Sequence, residues 1–474
     1  MNNKNIKMNK LKSSMMCLGL VMILKSTLAQ TSGPENAVYD IRKFGAIADT
    51  TIVNTKAFQA AIDKCNADGG GVVLVAGGRF VTGTIYLKSN VTLRVEAGAV
   101  MLGSSKIADY ATNTDRTMYK GEPYMDRCLI FARDAKNIAI EGNGMIDGRG
   151  KSLPEKGDPG KNRPKMIRAI DCSHIRLRDI TLKSPASWTT EWRNCTDIAV
   201  DGITIASRNI SNGDGLDFDG CANVRVSNST FNTGDDAICL QTSSLDHPCI
   251  DFTITNCNFS SRWAGVRIGL LSRSNFENVV ISNCTFNGHN DSGLKIQMME
   301  GAEMKNMVFS NLVMKNVPRA IFMTFNSQNA WIDAQGEPAP MKRVYNLMFS
   351  NIIIENPTGN TSPAIVVTGL PDHPIEGLVF SDIKAILPGG GTAEHAKNVL
   401  TELTAENLKG RWPEYGGLRA VAPASGMYIR HVKGITLRNI DISTNLPDIR
   451  KEIVLVDVTG DKVTDSPTPD KRKE

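Results

Sequence analysis

Past residue 29 the chain has no continuous apolar run near the roughly 18 residues that a membrane-spanning helix needs, so the mature protein is expected to be soluble. The one sustained apolar stretch lies at the start. Lys4, Lys7, Lys10 and Lys12 precede MMCLGLVMIL, and STLAQ follows, with Thr27 and Ala29 at positions suited to cleavage beside small residues. This pattern predicts a secretory signal peptide over residues 1–29, cut after Ala29, and a secreted or periplasmic product. Cys17 follows Met16 rather than a small residue, which disfavours a lipoprotein anchor.

An excess of charge is also missing. The formal net charge is +5, and the leader holds five lysines and no acids, so the remainder is close to neutral. No whole-molecule basic field for nucleic acid is expected. The C-terminal DKRKE reads as a solvated charged tail. An even cysteine count is lacking as well, since nine of the ten cysteines remain after residue 29. A fully paired disulfide framework, the usual device of exported proteins, is therefore not indicated. Long helical patterns are scarce too. The one convincing helix follows YDIRKFGA, with Asn54 or Thr55 as its cap, Phe58, Ala61, Ile62 and Cys65 as its apolar stripe, and Gly69 to Gly71 at its end.

What the chain does have is a repeat. The phrase runs NIAIEGNGMI from 137, HIRLRDITL from 174, DIAVDGITI from 197, NVRVSNSTF from 223 and DFTITNCNF from 251. It goes on as NVVISNCTF from 278, NMVFSNLVM from 306 and NLMFSNIII from 346, with weaker copies from 377 and 434. Apolar residues alternate, then a turn residue intervenes, then another apolar position follows, which is the pattern of short strands with one buried face. Central copies start 23 to 28 residues apart without intervening helices. This predicts an all-β fold, a right-handed parallel β-helix of about ten coils with the N-terminal helix capping its open end. A leucine-rich repeat would need a leucine spacing that is absent. The expected layout is a cap and first coils over 30–110, repeat coils over 137–442, and a C-terminal strand and tail over 443–474, all one domain. The runs 147–164 and 384–424 read as loops.

Two sets of residues keep the same phase. Asn228, Asn256, Asn283, Asn311, Asn351 and Asn439 each sit five residues into their copies, where asparagine tolerates left-handed backbone angles and builds ladders between coils. Cys172, Cys195, Cys221 and Cys249 lie two residues before theirs, and Cys257 and Cys284 six residues in. That register predicts buried stacks of thiols rather than a metal site.

Candidate chemistry lies in DGLDFDG from 214, DAICLQT from 236, AGVRIGL from 264 and GLKIQM from 293. Setting Leu216, Ile238, Val266 and Leu294 on one inward level makes Asp214 and Asp236 neighbours about 5 Å apart, with Asp235 one residue earlier at the turn. Asp217, Cys239, Arg267 and Lys295 then form the next outward row. A surface bearing three carboxylates beside two cations follows, and like charges placed so closely suit shared acid and base work.

These segments carry a resemblance. The FGA and AIDKCNADGGG opening, LKSPASWTTEW at 182–192 and the repeats are similar to glycoside hydrolase family 28, the polygalacturonases, over nearly all of the mature chain. The family signatures NTD, GDD, GHG and RIK correspond here to NGD at 212–214, GDD at 234–236, WAG at 263–265 and GLK at 293–295. The resemblance implies that Asp235 is the general acid and that Asp214 and Asp236 hold and activate the attacking water, giving inversion. It implies no cofactor and no metal. Ala264 stands where the family has histidine, and Gly293 where it has arginine, while Lys295 keeps the family lysine. Arg267 occupies a position usually small and polar. Lys295, Arg267 and Asp217 are the expected substrate-binding residues, for an acidic pectic polysaccharide of galacturonan or rhamnogalacturonan type bound by a monomer. Two other readings remain: a Ca²⁺-dependent polysaccharide lyase using Asp214, Asp217, Asp235 and Asp236, and a non-catalytic carbohydrate-binding β-helix.

Overall fold

The computed structural model describes residues 37–115, 126–153, 163–325, 339–356, 358–359, 361–402 and 421–473. The signal peptide expected over 1–29 lies outside the described residues, as do parts of both expected loop runs. Within the described residues no helix is long and apolar enough to cross a membrane.

The earlier coils contribute three short strands each, and from Phe276 on two of the three run together into strands of 12 or more residues, such as Phe276–Asn287 and Met304–Lys315. Strands pair in parallel with their equivalents in the next coil. Three inward columns define the core. Ile175, Ile198, Val224 and Phe252 form one; Leu182, Ile205, Phe231 and Phe259 form a second; and Leu216, Ile238, Val266 and Leu294 form the third. The third is the level set from sequence. Nearly every apolar side chain in these columns is fully buried in one continuous cluster. The result is the expected right-handed parallel β-helix. Phenylalanines stack down the second column, with ring centroids 5.0 Å apart for Phe231 and Phe259 and 4.9 Å for Phe259 and Phe286.

The turns explain why the repeat is so regular. All ten copies begin at a residue with positive φ, from Asn137 and His174 through Asn346 to Gly377 and Gly434. The second turn position, at Asn228, Asn256, Asn283, Asn311, Asn351 and Asn439, is left-handed too. Side chains then bond along the stack: Asn311 donates to Asn283 over 3.0 Å, Asn351 to Asn311 over 3.1 Å, and Asn306 to Asn278 over 3.1 Å. Asparagine accepts this backbone at low cost, and its amide serves as both donor and acceptor.

The nine described cysteines are buried and free, and Cys195 lies in hydrogen-bonding contact with both Cys172 and Cys221 along one stack. The helix spans Thr55–Ala67 and buries Phe58, Ala61, Ile62 and Cys65 against the first coils. Asn54 occupies the N-cap without capping through its side chain. Its amide instead accepts the Ile47 N–H and donates to the Ile47 and Ile52 carbonyls, pinning the preceding loop.

At the other end the charged tail is not simply solvated. Asp470–Arg472 forms a strand on Val454–Val456, and Arg472 donates to the Ala396 carbonyl over 2.9 Å. A charged strand on an exposed edge discourages further pairing.

Candidate active site

Two glycine turns lie against one another. In the first, Asn212 adopts φ +50° and Gly213 approaches the carbonyls of Ser207 and Ile210 so closely that a Cβ would sit 2.7 and 2.8 Å from them. In the second, Gly234 donates to the Gly213 carbonyl over 3.2 Å. Asp214 leaves the first turn and Asp236 the second. The Gly215 N–H donates to the Asp236 carbonyl over 2.9 Å, which ties the two strands side by side. Oxygens of Asp214 and Asp236 and the Cys239 sulfur all fall within 4.8 Å of one another. Asp235 sits where the turn enters the strand. Its carbonyl accepts from the hydroxyls of Thr233 and Ser261, and its carboxylate accepts the Asp236 N–H over 3.0 Å.

The outward row follows the predicted register: Asp217 pairs with Cys239, Cys239 with Arg267, and Arg267 with Lys295. One expectation is corrected here. This row is not an open surface, because Asp217, Asp236 and Lys295 are fully buried and Asp214 and Arg267 are each only 5% exposed. Buried charges require partners, and most of the row has them. Arg267 pairs through Nη1 with Asp236 Oδ2, while the Ala264 N–H donates to Asp236 Oδ1 over 3.0 Å. Lys295 does not simply await an anion: its ammonium donates to Asp291 Oδ2 over 2.7 Å and lies 4.5 Å from the centre of the Trp263 ring. Arg319 pairs with the other Asp291 oxygen. Asp217 differs, since neither of its oxygens has a hydrogen-bond partner of nitrogen or oxygen among the described residues.

The row extends further than the motifs suggested. Glu191 and Arg168 are ladder partners in the preceding coils. Glu191 accepts from Lys165 over 2.5 Å and from Arg168 over 2.8 Å, with all three side chains fully buried. Lys165 also lies 3.9 Å from the centre of the Trp188 ring. Arg163 reaches over from outside the row and donates to the Ser211 carbonyl and to Asn212 Oδ1, both over 2.8 Å, bracing the turn that presents Asp214.

The electrostatics split the acids. Burial pushes Asp235 up to about 7, Asp236 adds to the shift, and Arg267 opposes it. Burial, together with Asp235, Asp217 and Asp236, also raises Asp214 well above the usual carboxyl range. Asp217 is raised mainly by burial, against the pull of Lys165. Burial disfavours the Glu191 anion, but Arg168, Lys165 and Arg193 together hold it well below the ordinary range. Partly exposed Asp235 thus keeps its proton up to near neutrality beside an arginine-paired carboxylate. That is the pairing an acid–base hydrolase requires.

Residues 74–405 match the family model described as Glycosyl hydrolases family 28. The chain belongs to that family. Being a family 28 member, it is a glycoside hydrolase. Curated relatives are distant. The exo-poly-alpha-D-galacturonosidase of Dickeya chrysanthemi is 27% identical over 76% of this chain and 69% of its own. A probable polygalacturonase of Vitis vinifera is 26% identical over 72% of each. Among solved structures, the family 28 exopolygalacturonase of Yersinia enterocolitica superposes with a TM-score of 0.68 at 20% identity, covering 93% of this chain and 78% of that one. The exopolygalacturonase of Thermotoga maritima gives 0.64 at 20% identity, over 74% and 88%. These superpositions establish a shared fold.

The positions where the family signatures have histidine and arginine hold Ala264 and Gly293, which carry no polar side chain. Ala264 contributes only its backbone N–H to Asp236. His289 is buried with Nε2 3.2 Å from the Phe259 carbonyl, and burial lowers it to about 4, so it is neutral at physiological pH.

Proposed function

We propose that this family 28 enzyme hydrolyses an acidic pectic polysaccharide, of galacturonan or rhamnogalacturonan type, with inversion, after export by its N-terminal leader. One observation carries the mechanism. Asp235 stands apart from the neighbouring pair of Asp214 and Asp236, is partly open to solvent, and holds its proton to about pH 7. In this reading Asp235 protonates the glycosidic oxygen as the bond breaks. Asp236, paired with Arg267, orients a water together with Asp214 and takes its proton as the water attacks from the opposite face. Inverting glycosidases need acid and base far enough apart to admit that water. The names of the relatives support a galacturonate-containing chain as substrate.

The arginine on Asp236 also weighs against the lyase reading, because a guanidinium already lies against an oxygen that Ca²⁺ would need. Pectic fractions incubated with the enzyme should yield saturated sugars whose first-formed anomer, read by NMR, is inverted. Asp235→Asn is expected to reduce kcat by about 10²–10⁴-fold, the usual contribution of a general acid, with the protein still folded. Turnover by that variant near the wild-type rate would sink the assignment, and unsaturated products would favour a lyase. Unchanged oligosaccharide binding with no turnover by either protein would favour the binding module.

A further inference from the structure

Arg267 has no counterpart in the family signatures, and its geometry gives it a definite task. It projects from strand Ala264–Ser272 one coil beyond Asp236, and its ladder partner is Cys239, three residues after Asp236. The side chain reaches back toward the preceding coil. It is 5% exposed and pairs with Asp236 Oδ2, which also accepts the Cys239 thiol over 3.6 Å. The other Asp236 oxygen takes the Ala264 N–H over 3.0 Å. Both oxygens are thus held by the one coil next to that which carries Asp236. The residue whose backbone does part of this holding is the one that stands at the family's histidine position.

We infer that Arg267 is a positioning residue that replaces the missing family histidine: it holds Asp236 anionic and oriented, and does not bind the substrate's carboxylate. The inference rests on the hydrolase reading for its kinetic consequences, but the state of Asp236 can be read without turnover. Physically, three adjacent carboxyl groups share protons so that one neighbour's charge suppresses another's. A fixed guanidinium against one of them decides which member is the anion. That leaves Asp235 and Asp214 as the members that retain protons.

The groups facing Arg267 from each packed element determine the sign of its effect. They are Asp214 and Asp217 from the coil at 214–219, Asp235, Asp236 and Cys239 from the next, and Lys295 with Asp291 from the coil beyond. Arg267 lowers the affinity of Asp214, Asp217 and Asp235 for protons. Its removal therefore moves the falling limb of the pH–rate profile to higher pH, because the acid Asp235 keeps its proton longer.

The test compares wild type, Arg267→Met and Arg267→Lys in steady-state kinetics on polygalacturonate from pH 4 to 9. A parallel measurement follows carboxyl ¹³C titrations in aspartate-labelled protein, with Asp236→Asn to assign the resonance. Arg267→Met should lose at least 100-fold in kcat with KM changed less than threefold, and the falling limb of its profile should shift upward by about one pH unit. Arg267→Lys should recover at least tenfold of that loss, and the Asp236 resonance should titrate higher in the methionine variant. A raised KM with unchanged kcat and an unmoved profile would overturn the inference in favour of carboxylate binding. An Asp236 titration unaltered in both variants would overturn it as well. Should the methionine variant fail to fold, Arg267→Gln, which keeps a polar side chain without the charge, takes its place in the same titration, with the same shift expected and an unaltered Asp236 resonance overturning the inference. A wild-type enzyme that cleaves no pectic fraction would instead remove the hydrolase reading, and the Asp236 titration would still answer for Arg267.

Discussion

Two stacks of polar residues run along this solenoid under opposite rules. The turn ladders repeat one residue type. Asn278, Asn306 and Asn346, like Asn283, Asn311 and Asn351, are exposed, left-handed, and bonded each to the next. The row on the third strand has no two neighbours alike. It reads Arg168, Glu191, Asp217, Cys239, Arg267 and Lys295, buried throughout. A ladder of identical neutral amides satisfies itself at every step, so it suits a repeat and costs little wherever the coil recurs. A buried row of charged groups is costly where opposite signs do not meet, and so it varies from coil to coil. Uniformity along the axis therefore marks structure, while its breakdown marks chemistry.

The contrast can be broken most severely on the charged row. Glu191→Leu would leave Lys165 and Arg168 facing one another in the interior, and should cost about 3–5 kcal/mol in urea unfolding. Replacing all three by well-packed apolar residues should cost much less, since the charges would go together.

Asp235 offers a subtler handle through pH. Its native pKa, about 7, lies above the ordinary 3.8, so the protonated native state contributes stability that is full below about pH 4 and lost as pH rises through 7. Asparagine does not titrate. The melting temperature of Asp235→Asn should therefore rise relative to wild type between pH 4 and pH 8, as followed by circular dichroism. A difference that does not change with pH would contradict the shifted acid.

On the ladder the effects should be smaller and indifferent to activity. Asn311→Ala places a Cβ-bearing residue without a stabilising amide at φ +56° and removes bonds to both neighbours, for a cost of about 1–3 kcal/mol. Turnover per folded molecule should stay at the wild-type value. A loss of kcat comparable to that of Asp235→Asn would erase the distinction between the two stacks.

Much of this was legible in the chain because both periods are short. Strand alternation and the coil repeat together specify which residues share a level. The alignment of Leu216, Ile238, Val266 and Leu294, and with it the outward row, followed from that alone. The same register, carried two coils upstream, leads to Glu191 and Arg168; Glu191 lies within the family-like segment at 182–192 but was not placed on the row, and KMIRAI carries no signature. The left-handed first residue of every copy was also missed, since His174, Asp197 and Gly377 differ in type while sharing one backbone conformation. Asp291 and Arg163 had no such signal: the first lies in a turn between strands, the second outside any repeat, and their partners are reached only in space.

By itself, then, the sequence determined the solenoid, its register and which three aspartates lie together, because backbone periodicity converts spacing directly into neighbourhood. Tertiary structure alone decided that the charged row is buried and which cation answers which acid. Arg267 turning back to Asp236, and Lys295 committed to Asp291 and Trp263, are choices of side-chain direction. Such choices depend on the space left by residues from several coils at once, and no spacing along the chain encodes them.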